Sequence, residues 1–315
     1  MRVCLSVLIA AAFLAHACAA PVNNGLLSLV PAGAEIVAGI QDPHNPDSHG
    51  RLLLVTHNNN LDLNDWLALT GVDGSMQVDE LIEVAASSSQ SELNVHLLLI
   101  SGRFNRDQVF RAARKNGAAT SEYNGVRILL IAPFARERQE ISNIRWMAII
   151  DDRTSIFGTP ELVRKSIDRY ASHEVPDAPL LQRLEQLHPD VNSWNVLVMP
   201  APMLIRHIAP GQSHSLWTHI LNGAHELTIG IHYGSKARID FAASTDGDQQ
   251  AASFAGKLTQ PRLRLTDLSG MEQLRIQSVS VQRNHVQGSM TVPGREFDAW
   301  LAAVVQSHAS ASSAQ

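Results

Sequence analysis

The fold is decided by the stretch "HELTIGIHYGSKARIDFAASTDGDQQAASFAGKL", residues 225–258. Apolar and polar side chains alternate over 227–233 and again over 237–243, with a glycine-serine turn between the two runs. Alternation of this kind places apolar side chains on one face of a strand, so the stretch predicts an antiparallel hairpin with one buried face. Four apolar residues then follow helical spacing: Ala251, Phe254, Ala255 and Leu258. The predicted unit is therefore strand, turn, strand, helix.

The same unit is predicted three more times, at 79–117, 126–171 and 274–306. In the first of these, Asn105 stands where an N-cap is expected, directly before the helical run. In the last, the alternation of the first strand changes phase near Ser278, which predicts a β-bulge.

The four units fall into two similar halves, 20–172 and 173–306. Matched residues occur in the same order in both: Pro31 with Pro189, Trp66 with Trp217, Glu80 with Glu226, and Pro160 with Pro293. Matches in the same order indicate an internal duplication. We therefore predict an α+β fold of two similar halves, each an antiparallel sheet of β-β-α units with helices packed on one face. The sequence leaves open whether the two sheets are separate or continuous.

The N-terminus predicts export. Arg2 precedes an apolar run at 3–15, and Ala17-Cys18-Ala19 supplies the small residues of a cleavage site. These features predict a signal peptide at 1–19 and a periplasmic or secreted protein. The alternative is a lipoprotein anchored through Cys18, because the apolar run fits both kinds of leader.

Cysteine content and charge exclude several classes of function. Cys4 and Cys18 both lie in the leader, so the mature chain has no disulfide, thiol nucleophile or thiolate metal site. The net charge of −5 argues against nucleic-acid binding. One predicted helix carries a basic row that we interpret as a solvated face: Arg103, Arg106, Arg111, Arg114 and Lys115.

No later apolar run is long enough to span a membrane, and the small polar tail at 307–315 is expected to be disordered.

A candidate metal site lies in "QDPHNPDSHG", residues 41–50. Asp42, His44, Asp47 and His49 supply carboxylate and imidazole groups, which are ligands for Zn²⁺ and similar divalent ions. The alternative is a plain connection, because Asp, Pro, Asn, Ser and Gly all favour turns.

Other candidate chemistry is sparse. A second group of histidines is interpreted as scattered surface and core-edge residues, because strand parity puts two of them on opposite faces: His207, His214, His219, His225 and His232. The sequence has no G-x-S-x-G elbow, no H-E-x-x-H and no glycine-rich phosphate loop. We predict no catalytic residues.

The leader, the turn-strand "YNGVRILL" (123–130) and "IIDDRTSIFGTPELVRKSIDRY" (149–170) resemble uncharacterised exported bacterial proteins of the domain-of-unknown-function kind. The resemblance covers the first half of the chain. It implies duplicated α+β halves behind a signal peptide, and it implies no chemistry, so no functional residues follow from it.

The sequence therefore favours an exported, non-enzymatic binding or scaffold protein of the bacterial cell envelope, with no cofactor. Its partner would be an envelope protein or a small ligand, held between the halves or on a sheet face. The alternative is a metal-dependent hydrolase that uses the Asp42–His49 loop. A third hypothesis is that the mature chain assembles only with itself.

Overall fold

The computed structural model describes residues 23–41, 70–71, 78–88, 91–131, 145–208, 221–259, 272–300 and 302. These residues form one antiparallel sheet of twelve strands. The strands are β1 (Ile36–Gln41), β2 (Val78–Ser88), β3 (Ser91–Gly102), β4 (Ala119–Tyr123), β5 (Val126–Ile131), β6 (Arg145–Ile149), β7 (Thr154–Gly158), β8 (Ser193–Val198), β9 (Ala224–His232), β10 (Lys236–Thr245), β11 (Arg275–Gln282) and β12 (His285–Pro293). Their order across the sheet is β11-β12-β10-β9-β8-β1-β2-β3-β7-β6-β5-β4.

Seven helical segments are described. They are α1 (Asn24–Leu27), α2 (Arg106–Lys115), α3 (Pro160–Ala171), α4 (Ala178–Leu184), α5 (Ala201–Ile208), α6 (Asp248–Leu258) and α7 (294–300). As the sequence predicts, the Asn105 side chain caps α2 by accepting a hydrogen bond from the Gln108 N–H at 3.0 Å.

Across β1, β2, β3, β7 and β6, which are neighbours in that order, the sheet is buried on both faces. We define the front face as the one that carries Val37 and the back face as the one that carries Ile36. On the front, α1, α3 and α4 pack over one apolar cluster, and on the back α2 packs over another. Leu97 and Leu98, which are neighbours in β3, belong to opposite clusters and are both fully buried.

In β9, β10, β12 and β11, which are neighbours in that order, only the back face is apolar. Leu227, Phe241 and Val286 belong to a cluster that α5 and α6 cover, and α7 covers Ala237 and Val292 with Phe297. The front-facing residues of these strands are mostly polar. This part agrees with the hairpin predicted at 225–245, which has one buried face.

The sheet is continuous, because β1 pairs with β8 and joins β2–β7 to β9–β12. The prediction of helices on one face is wrong for the N-terminal half, where α3 lies on the front and α2 on the back. The physical reason is the composition of the strands: unbroken apolar runs such as "LLLI" at 97–100 bury both faces.

The middle of the sheet depends on a tryptophan placed between two glycines. Trp194 in β8 lies opposite Gly39 in β1 and opposite Gly230 in β9. A Cβ atom at Gly39 would lie 2.3 Å from Cζ2 of Trp194, so the indole occupies the space that a side chain would need. Leu187 and Val191 pack in the same way against Gly230. Beyond Gly230 the front face becomes polar.

The bulge predicted near Ser278 is confirmed. The pairing of β11 with β12 shifts register between Ile276 and Ser278. The bulge restores the alternation of the strand, so that Val279 and Val281 lie on the back face and Ser278 and Ser280 on the front.

Candidate binding face

The front side of β9, β10, β12 and β11 is a largely polar surface, on which Thr228, Ala242 and Ser244 are buried and the residues of β12 and β11 are exposed or half-exposed. We call it the polar face. Its exposed and half-exposed side chains include Glu226, His232, Arg238, Asp240, His285, Gln287, Ser289, Thr291, Arg275, Ser278, Ser280 and Gln282. They share the face because every second residue of a strand points the same way, and their partners on the back are apolar.

A charged group lies where the polar face meets the turn at 188–190 that precedes β8. Asp190 accepts hydrogen bonds from the guanidinium of Arg238, and the Nδ1 atom of His188 lies 2.5 Å from Asp190 Oδ1. The Nδ1 atom of His232 lies 2.7 Å from the Asp190 carbonyl oxygen and 3.6 Å from Oδ2. Arg238 also donates to Asp240 at 3.2 Å. We call these five residues the Asp190 cluster.

Electrostatics favour the ionised form of Asp190. Partial burial alone would raise the pKa of Asp190, but the hydrogen bonds from Arg238 and His188 outweigh it and hold the pKa below its usual 3.8. The guanidinium of Arg238 is shared between two carboxylates, so it is already neutralised. Both imidazoles turn Nδ1 toward Asp190, which leaves Nε2 on the opposite side of each ring for an outside partner.

A second polar group lies at the other end of the face. Arg183 reaches from α4 to Glu226, with 2.8 Å between Nη2 and Oε2. Ser244 donates to Glu226 Oε1 at 3.2 Å, and its hydroxyl lies 3.1 Å from Nδ1 of His285. Arg238 and Arg183 are therefore each paired with carboxylates on this face, whereas Arg275 of β11 donates to the backbone carbonyls of Glu272 and Leu274.

Between Arg275 at the start of β11 and His285 at the start of β12, the outer strands of the polar face carry hydroxyl and amide groups. The hydroxyls of Ser278 and Ser289 lie 2.9 Å apart across β11 and β12. Gln277 donates from Nε2 to Thr291 Oγ1 at 2.8 Å. Short hydroxyl and amide side chains keep this part of the face flat and rich in donors and acceptors.

One hydroxyl–imidazole contact lies within the described residues: Ser244 Oγ is 3.1 Å from Nδ1 of His285, and the same hydroxyl donates to Glu226 Oε1 at 3.2 Å. Neither His188 nor His232 is hydrogen-bonded there to a serine or threonine hydroxyl, the contact that an activated nucleophile requires. Among the same residues, no group of three or more His, Cys, Asp or Glu side chains is arranged to hold a metal ion.

The residues predicted as a metal site, Asp42, His44, Asp47 and His49, lie outside the described residues. His214 and His219 also lie outside them, as does the side chain of His207. Gln41, the last described residue before the loop, donates its backbone N–H to Asn192 O at 2.8 Å.

Two further groups of predicted residues are placed by the structure. Among the histidines, His225 is exposed beside Asp246, with 3.4 Å between Nδ1 and Oδ1, and His232 joins the Asp190 cluster. Arg106, from the basic row, donates to the carbonyl oxygens of Ile149 and Ile150. That residue fixes α2 to the end of β6 rather than serving an outside ligand.

Sequence reasoning missed His188, Asp190, Arg238 and Asp240. The Asp190 cluster joins residues that are about fifty positions apart, and only the pairing of β8, β9 and β10 brings them together. The available signal was local: a His-Pro-Asp turn directly before β8, and an Arg and an Asp with the same parity in β10.

Comparisons with known proteins give a structural likeness but no family. No family model matches the chain, and no curated protein matches it. A solved structure described as "Structure of crystal form I of TP0453" is 8% identical, with a TM-score of 0.49. The match covers 88% of this chain and 96% of that one.

Within the described ranges, no helix is both long enough and apolar enough to cross a membrane.

Proposed function

We propose that this chain is an exported, non-enzymatic binding protein of the bacterial cell envelope, and that it holds an envelope component on its polar face. One observation carries the proposal: β12 and β11 bury their back face under helices and leave a polar front face with exposed or half-exposed side chains, and that face continues onto Glu226, His232, Arg238 and Asp240 at the ends of β9 and β10. A sheet with one solvated face is a common arrangement. It is also a ready surface for a partner.

The chemistry of the polar face points to a neutral, hydrophilic partner. Charges in the Asp190 cluster and around Glu226 are paired, so little net field would draw a strongly charged ligand. Serine, threonine and glutamine side chains offer both donors and acceptors. A neutral polymer rich in hydroxyl and amide groups, such as the N-acetylated glycan strands of the peptidoglycan in the bacterial wall, fits this surface.

The proposal is tested by sedimentation with isolated peptidoglycan sacculi. We expect the full chain to sediment with them, and Gln287→Arg to weaken that binding by about tenfold because a buried, unpaired guanidinium in the contact costs at least 1.4 kcal/mol. Gln287 is exposed on β12. Ser253→Arg, which adds the same charge on the exposed side of α6, is the matched control and should bind as the wild type does. Equal loss in both variants, or no sedimentation of the wild type, contradicts the proposal.

Metal analysis separates this function from the alternative of a metal-dependent hydrolase. We expect the purified chain to carry no stoichiometric divalent ion and to keep its melting temperature in chelator. An ion that is bound one to one, and is lost when His44→Ala and His49→Ala are combined, would instead favour the hydrolase.

We also propose that the two halves arose by duplication. In support, β1-β2-β3-α2 and β8-β9-β10-α6 run in the same order, and β1 and β8 pair antiparallel in the middle of the sheet. Glu80 and Glu226, matched in the sequence, stand at corresponding places in β2 and β9. The second half has fewer strands, and α7 covers the back face whereas α3 covers the front.

A further inference from the structure

The two outer strands of the described sheet differ in how well they resist pairing with another strand. β4 has five residues and carries Glu122, and a short strand with a charged side chain makes a poor template. β11 has eight residues, contains no proline, and has no charged residue between Arg275 and Arg283. The unpaired backbone groups of a long, uncharged edge strand can form hydrogen bonds with a strand of another molecule.

The backbone of β11 shows which groups face outward. A two-residue turn at 283–284 joins β11 to β12, with Gln282 opposite His285. In such a hairpin the closing pair exchanges hydrogen bonds, and hydrogen-bonded and non-hydrogen-bonded pairs then alternate along the ladder. Gln282 and Ser280 therefore bond to β12, whereas Val281 and Val279 direct their N–H and C=O groups to the open edge. Val281 is 44% exposed.

We propose that a second copy of this chain adds its β11 to this edge, antiparallel, about a two-fold axis through Ser280. In that register Val279 of one protomer lies opposite the partner's Val281, and Val281 lies opposite the partner's Val279. Both pairs bring outward-facing backbone groups together, so four backbone hydrogen bonds form across the axis. Side chains keep to their faces, with valines at the back and serines at the front.

Complementarity of charge selects this register and this occupant. With the axis at Ser280, Arg283 lies opposite the partner's Gln277, and like charges do not meet. With the axis one residue away, at Val279, Arg275 would lie opposite the partner's Arg283, and only one pair of valines would exchange hydrogen bonds. The edge is thus complementary to itself in one register. Because the contact is isologous, it closes as a dimer and does not propagate.

A single cysteine tests the register directly. In a full chain with Cys4→Ser and Cys18→Ser, Ser280→Cys supplies the one thiol. The axis puts the two 280 positions in a non-hydrogen-bonded pair about 4.5 Å apart at Cα, within reach of a disulfide. We expect mild oxidation to double the molecular mass on a non-reducing gel.

The matched control is Ser278→Cys in the same background. Ser278 is exposed on the same face of the same strand, but the proposed register separates it from the partner's Ser278 by roughly 13 Å, four residues along the strand. This variant should stay monomeric on oxidation. Adding Val281→Lys to the Ser280→Cys chain should abolish the cross-link, because the lysine places a charge on the edge.

Light scattering of the chain without cysteine completes the test. A mass that rises toward twice the monomer value with concentration, and that falls back in Val281→Lys, supports the dimer. A chain that stays monomeric and shows no cross-link at 280 overturns the proposal. Equal cross-linking at 278 and 280 overturns it as well, since random collision would then explain both.

Discussion

Glu80→Gln is expected to stabilise the protein at pH 8 by about 3 kcal/mol and to change its stability little at pH 5. Glu80 in β2 is 6% exposed. Burial raises the pKa of its carboxyl from 4.5 to about 7, against a smaller opposing effect from the Asn23 backbone N–H, which donates to Oε1 at 3.3 Å. The folded state therefore prefers the neutral acid.

The direction of the pH dependence follows from proton counting. Between pH 4.5 and about 7, the folded chain holds a proton on Glu80 that the unfolded chain has released. Stability falls with rising pH wherever the folded state binds more protons, so the loss accumulates across this window and is complete above it. Glutamine resembles the protonated acid in shape and can still accept the Asn23 N–H, so it removes only the cost of the charge.

Denaturant unfolding of both chains at pH 5 and pH 8 measures this effect. Glu185→Gln, on an exposed glutamate after α4, is the control and should leave the difference between the two pH values unchanged. If Glu80→Gln stabilised the protein equally at both pH values, the gain would not come from ionisation. If it destabilised the protein at pH 8, the carboxylate would have a favourable partner in the folded state.

The sequence predicted the second half of the sheet better than the first. In β9 and β10 the alternation of apolar and polar residues encodes one buried face, and the structure has that face. In β3 the run "LLLI" at 97–100 is apolar at successive positions, and such a run does not tell which helix will cover which side of the sheet. The helices α2 and α3 were predicted as the last elements of their strand-turn-strand-helix units, but their placement on opposite faces depends on how the sheet is covered as a whole.

The candidate site was less accessible to sequence reasoning than the fold. The Asp190 cluster depends on the register of β9 against β8 and of β10 against β9, which places His232 opposite Arg238 beside the turn that carries Asp190. Residue type and local spacing do not contain that register. By contrast, the polar character of the whole face could be predicted, because it follows from the alternation that also predicts the strands.

Trp194→Ala is expected to destabilise the protein by about 3–5 kcal/mol, the largest effect expected from a single substitution in this sheet. The indole is fully buried and lies across β1 where Gly39 leaves room for it. Gly39→Ala should cost about 3 kcal/mol, because its Cβ would overlap atoms of the indole and one of the two strands would have to move.

A double-mutant cycle distinguishes this overlap from a general effect of changing a glycine in a strand. Once Trp194 is alanine, the overlap is gone, so adding Gly39→Ala should cost less than about 1 kcal/mol. Gly256→Ala is the control: this glycine is exposed in α6 with open space around its Cβ position, so alanine should stabilise the protein by about 0.5–1 kcal/mol. Additive costs at 39 and 194 would mean that the indole does not occupy the groove over Gly39. Strong coupling would establish that β1 and β8 are held together through the side chain of Trp194. These strands lie between the part of the sheet that is buried on both faces and the part that has a polar face.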